Sequence, residues 1–365
     1  MKHHLKIYRE IMFVFLKLGL FAFGGPAAHI AMMEDELVTK RKWVTKEKFV
    51  DMLGFTNLIP GPNSTEMAIL MGHARGGKKG LFVAGISFIL PAMLIVLGFA
   101  IIYKSYGNVL YVASIFDAIK PVILAIVIQA LFRLTKTTLS TFEAIVLFLI
   151  VLGLSILGVS EIPLLFGAAA VMYLYKRVQE KTIAVVLEPI SLVTLFLIFL
   201  KIGSVLYGSG YVLLAFLRTE FVTNLGLLSN SQLIDAVAVG QFTPGPVFTT
   251  ATFIGYLLAD LPGAILATIG IFAPAFLIIW LLHPLIDKMR ASKHVKHLLD
   301  GVNAAAIALM AAVTIELGIA TLTSVLFGVI FALSAFLLIK FKINATYLIL
   351  GGAVIGLIKF FISIN

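Results

Sequence analysis

Cysteine is absent from this chain, which excludes disulfides, zinc–thiolate sites and cysteine nucleophiles. Charge is scarce: 13% of residues are Asp, Glu, Lys or Arg, against about 25% in a soluble domain. The seven histidines show no spacing that would gather a metal-ligand set on one helical face. Gly76-Gly77-Lys78-Lys79-Gly80 fits neither a P-loop nor a dinucleotide fingerprint, so no ATP hydrolysis and no cofactor are expected. Period-two alternation is also missing from the apolar stretches, which excludes a transmembrane barrel.

What the chain has instead is apolar mass. Of 365 residues, 61% are hydrophobic, and mean hydropathy is +1.08. No soluble fold of this length hides that surplus, but a bilayer accepts it. Continuous apolar runs of about 20 residues predict an all-α integral membrane protein. No small-residue cleavage site follows the first apolar run, so Ile11 onward reads as a mature helix. The net charge of +10 sits in short loops between the runs. That is the pattern of cytoplasmic loops, not of a nucleic-acid partner.

The chain repeats itself. Phe15-Leu16-Lys17-Leu18-Gly19 returns as Phe199-Leu200-Lys201-Ile202-Gly203, and Glu36 returns as Glu220. Asp51 returns as Asp235, and Pro60-Gly61-Pro62 as Pro244-Gly245-Pro246, all at an offset of 184. With a one-residue deletion, Pro91 matches Pro274 and Asp117 matches Asp300. The expected domains are a first repeat over 1–175, a linker over 176–189 and a second repeat over 190–365.

Each half is expected to begin with a helix, at 11–33 or 190–216, followed by a segment broken at Pro-Gly-Pro and four more helices. Phe49 to Ile59 spans about 16 Å as a helix, half of a hydrocarbon core. A re-entrant hairpin and a discontinuous crossing helix both fit that length. Charge decides between them: hairpins put nineteen Lys and Arg on one face and six on the other, whereas crossing segments leave no bias. The predicted architecture is therefore an inverted repeat, with about five crossings and one re-entrant hairpin per half.

The Pro-Gly-Pro breaks carry the main functional signal. A half-helix starting at a hairpin tip presents free N–H groups and a positive dipole end, which suits an anion. Gly61, Asn63, Ser64 and Thr65 stand there in the first half, and Gly245, Thr249 and Thr250 in the second. Lys17 and Lys201 lie inside apolar helices and would add positive charge. They could equally snorkel to an interface or pair with Glu36 and Glu220. Glu36, Glu66 and Glu220 are the coupling candidates; Glu66 has no acidic mate, since Thr250 holds its place. Asp51 and Asp235 read as hairpin-end caps or ion-pair partners, Lys120 as an i,i+3 partner of Asp117, and His29 as a hydrogen-bonded structural residue.

Phe23-Gly24-Gly25-Pro26-Ala27-Ala28-His29-Ile30, Glu36, Trp43, Asp51, Pro60-Gly61-Pro62 and Pro91 resemble the first half of a chromate ion transporter. Gly203, Tyr207-Gly208, Glu220, Asp235, Pro244-Gly245-Pro246 and Pro274 resemble that family's second half. One departure is Gly208-Ser209-Gly210, where the first half reads Gly24-Gly25-Pro26. The resemblance covers nearly the whole chain and implies two oppositely oriented halves. It also implies chromate efflux with sulfate as the chemical analogue. The leading expectation is a multi-pass plasma-membrane secondary transporter of a small oxyanion, working by alternating access. It needs no enzyme chemistry, and it has a homodimer as a possible assembly. The alternatives are a passive anion channel, or a transporter of another oxyanion such as sulfate. A membrane-embedded enzyme would want a nucleophile or metal set beside Glu34-Asp35-Glu36, and neither is present in the sequence.

Overall fold

Backbone groups in lipid must be paired within their own segment, and this sequence answers with helices throughout. The computed structural model describes residues 2–22, 25–56, 58–106, 110–139, 141–159, 161–174, 191–207, 212–282, 293–341, 343 and 345–364. The expected linker 176–189, the turn residues Gly24 and Gly208-Ser209-Gly210, and Lys288, Arg290 and Lys342 lie outside them. Among the described residues, four stretches are long and apolar enough to cross a membrane: Asn63–Tyr106, Val112–Lys136, Val247–Leu282 and Asp300–Thr321. The chain is a multi-pass, two-repeat helical membrane protein.

It forms two compact units, each drawing on both sequence halves. Unit 1 comprises 1–101, 190–210 and 239–292. Its first elements are α1 (Lys2–Phe21), α2 (Gly25–Met33) with a π-helical extension (Glu34–Lys40), and α3 (Lys46–Thr56). Then come α4 (Asn63–Tyr106), most of which lies here, and α8 (Leu192–Val205). The end of α10 (Asn230–Phe242) and α11 (Thr250–Leu282) complete it.

The helix expected over 11–33 is divided. α1 stops at Phe21 and α2 runs back along it, so that Arg41 and Trp43 bond to Glu10 and Lys17 meets Glu36. Pro26 sits in the first turn of α2, where its missing N–H costs nothing. His29 secures the reversal with a 2.9 Å bond between its Nε2 and the Ala22 carbonyl. The helix expected over 190–216 likewise stops at Val205. The opening helix of each half thus ends sooner than expected, at Phe21 and at Val205.

α4 and α11 are both bent at equivalent points. Gly76 and Gly77 interrupt α4, and Ala259 and Asp260 interrupt α11. The arm 63–75 folds back on 78–106, with Gly72 against Gly80 and Ala84; in α11, Gly255 packs against Gly263 and Ala267 in the same way. Small residues let these backbones touch, which is what holds helices together where lipid is as apolar as leucine.

The long arms 78–106 and 261–282 run in opposite directions. The Lys78 ammonium lies 5.3 Å from the Trp280 ring centre, and Phe82 stacks on Phe276 at 5.6 Å. Farther along, Met93 and Thr268 line the same groove. Within unit 1, therefore, these equivalent arms of the two repeats pack antiparallel.

Unit 2 comprises 102–189, 211–238 and 293–365. Its helices are the end of α4, α5 (Leu110–Thr138), α6 (Phe142–Ile156), α7 (Glu161–Leu174), α9 (Leu213–Leu217) with a π-helical extension (Arg218–Asn224), and the start of α10. α12 (Lys293–Thr321), α13 (Val325–Lys340) and α14 (Ala345–Ile364) follow. α6 and α7 pack on α12, whereas α13 and α14 pack on α5, so the halves exchange partners. Gly356 lies against the Ser114 carbonyl, Gly352 against that of Ala118, and Gln129 donates to the Leu338 carbonyl at 2.9 Å.

Candidate functional site

The two Pro-Gly-Pro turns are buried in unit 1. Each turn is tied to the break in the other half's first helix. The Gly61 N–H donates to the Leu206 carbonyl at 2.8 Å, and the Gly245 N–H donates to the Ala22 carbonyl at 3.1 Å. These bonds are repeat mates, since both donors and both acceptors differ by 184. The helix breaks at Ala22 and Leu206 free the carbonyls, and the turns supply the amides. Both glycine amides, expected from the sequence to face an anion, donate here to protein carbonyls.

Glycine is required at both positions. Gly61 has φ +137° and Gly245 has φ +89°. A Cβ on Gly61 would overlap Glu66 Oε1, and one on Gly245 would lie 2.6 Å from the Ala92 Cβ.

Beyond the turns the halves differ. In the second, the Thr249 and Thr250 hydroxyls donate to the Pro246 and Val247 carbonyls, each at 2.8 Å. In the first, Ser64, Thr65 and Glu66 are all buried, and Asn63 is half-buried. Thr65 Oγ1 and both Glu66 carboxylate oxygens have no hydrogen-bond partner. An ionised carboxylate sealed away in this manner costs several kcal/mol. The position therefore demands something from outside the fold: a proton, or a ligand carrying donors. Tyr207, which the sequence reading did not single out as a site residue, is within electrostatic reach of Glu66.

Lys17 is exposed on α1 and lies 3.7 Å from Glu36. Glu36 also accepts from Arg41 Nε at 2.9 Å. The Arg41 hydrogen bond, helped by Lys17 and Lys40, holds the Glu36 carboxyl below its usual range in spite of partial burial. Lys201 is exposed on α8 in unit 1, whereas Glu220 is buried in unit 2. Among the described residues, no group of three or more His, Asp or Glu is placed to hold a metal ion.

Comparison with known proteins adds a name to this geometry. The family described as Chromate transporter matches residues 9–174 and again 193–357. A chromate transport protein of Cupriavidus metallidurans is 30% identical, covering 96% of this chain and 93% of its own. A probable chromate transport protein of Synechococcus elongatus is 29% identical over 96% of this chain and 95% of its own. An uncharacterized transporter of Methanocaldococcus jannaschii is 30% identical over 95% of this chain and 93% of its own. No solved structure matches.

Proposed function

Since the chain belongs to the chromate transporter family, we propose that it is a plasma-membrane secondary transporter of a small oxyanion, with chromate as the first candidate and sulfate as its analogue. The observation that carries this reading is the pair of bonds joining each Pro-Gly-Pro turn to the opposite repeat. Two half-helices beginning at such turns form a substrate site of the inverted-repeat type, and rocking about it alternates access.

In this reading the anion sits at the start of the arm 63–75, over Asn63, Ser64 and Thr65, with Thr249 and Thr250 opposite. The unpartnered Thr65 hydroxyl donates to it. Glu66 carries the coupling proton: protonated, it donates a hydrogen bond to the anion; ionised, it repels it. Proton and anion then bind together. Lys17 exchanges between Glu36 and the arriving dianion, and Lys201 adds positive charge from the second half.

The test is uptake of radiolabelled sulfate into proteoliposomes, competed by chromate, under imposed pH gradients. Saturable uptake that chromate blocks and the pH gradient drives supports the proposal. A rate that stays linear with concentration and shows no counter-transport points to a passive channel. No uptake of either anion defeats the assignment of substrate.

A further inference from the structure

The second Pro-Gly-Pro hairpin begins in a polar cluster. Asp235 on α10 is 3% exposed. Its Oδ2 accepts from the Tyr103 hydroxyl at 2.7 Å. Its Oδ1 has no hydrogen-bond partner and stands 3.8 Å from Lys120 Nζ. The Lys120 ammonium donates instead to Asp117 Oδ1 and to Ser231 Oγ, each at 2.7 Å. All five residues belong to unit 2. The charged and titratable groups acting on Asp235 are Lys120 and Asp117 from α5 and Tyr103 from α4.

Two carboxylates thus share one ammonium, and the ammonium sits on the more exposed of the two. One negative charge is left over, on the carboxylate that water reaches least. A buried charge without a full partner is costly, so such a site takes up a compensating cation. Among the described residues no group of three or more His, Asp or Glu is placed to hold a metal ion here, so the compensating cation is a proton.

The repeat argues for specialisation here. The mates of Asp235 and Ser231 are Asp51 and Glu47, both exposed, and the mate of Lys120 is Asn303.

We propose that Asp235 is a proton-binding site, one per molecule, with Lys120 as its exchangeable counter-ion. The step is simple addition: the carboxylate takes a proton from water and becomes neutral. With Asp235 neutral, Lys120 stays on Asp117 and Ser231. When the proton leaves, the ammonium gains a second carboxylate to bind. Asp235 lies on the helix that leads to Pro244, so its charge state acts on the arm of that hairpin. This last consequence rests on the transport reading above; proton binding itself does not.

The decisive measurement is infrared difference spectroscopy of the purified full-length protein during pH steps, with no substrate present. A protonated-carboxyl band lost in Asp235→Asn, with its midpoint shifted in Tyr103→Phe and in Lys120→Met, is the expected result. A band unchanged in Asp235→Asn, or a midpoint unmoved in both other variants, overturns the proposal. If Asp235→Asn does not fold, the midpoints in Tyr103→Phe and Lys120→Met decide alone. In proteoliposomes, Asp235→Asn shifts the pH dependence of uptake, while Glu66 still couples it to the gradient. Wild-type vesicles that carry no oxyanion would defeat the transport reading and leave the infrared result standing.

Discussion

The amide of Gly61 and the carbonyl of Leu206 lie 2.8 Å apart, although 145 residues separate them in the chain. This bond and its mate, Gly245 to Ala22, stitch the two repeats together at the broken ends of their helices. Removing either donor's geometry should therefore damage the whole of unit 1, not one turn.

Gly61→Ala tests that directly. A side chain at positive φ costs about 1–2 kcal/mol, and here the new methyl also overlaps the Glu66 carboxylate. The expected outcome is a lower unfolding temperature and loss of anion uptake, with Gly245→Ala behaving alike. Full uptake by either variant would show that the turns tolerate displacement.

Glu66→Gln keeps the size of the side chain and supplies donors of its own. The variant should fold with an unchanged melting temperature and still take up anion, but pH gradients should no longer drive accumulation. Uptake that follows the gradient as in the wild type would assign coupling elsewhere.

The bend at Gly77 isolates a backbone effect. Gly77 has φ +62° and nothing within 4 Å of where a Cβ would stand. Gly77→Ala should cost about 1–2 kcal/mol from backbone strain alone. A melting temperature lower than the wild type's, read by thermal unfolding, is the prediction.

Glu36 gives a pH dependence with a definite sign. Its carboxyl is held below the ordinary value of 4.5, chiefly by the Arg41 hydrogen bond. A depressed folded-state pKa contributes stability above the unfolded value and loses it as pH falls through the folded one. Melting temperature should thus decline below about pH 4.5 in the wild type. The decline should be shallower in Glu36→Gln, measured in detergent across the acid range.

Several features are legible without coordinates because they are local or periodic. Apolar runs of membrane length, proline and glycine at fixed breaks, and an offset of 184 between matching residues all follow from one-dimensional patterns. The reversal at Ala22 is less legible. Gly24-Gly25-Pro26 signals a break, but a break followed by apolar residues reads equally as a kinked crossing. The contacts of Glu10 with Arg41 and Trp43 distinguish the two, and those residues lie more than thirty positions apart.

The sequence by itself determined that this protein lives in a bilayer, that it is helical and doubled, and that each half breaks at Pro-Gly-Pro. Lipid leaves a helix as the means of pairing backbone amides within a segment, and two prolines around a glycine enforce that interruption. Only the tertiary structure decided which partner each broken end finds: Leu206 for Gly61, Ala22 for Gly245, Glu36 for Lys17. It also decided that Asp235 is buried while Asp51 is exposed. Pairing between distant segments depends on how whole helices pack, and packing in lipid turns on close contacts that no single segment encodes.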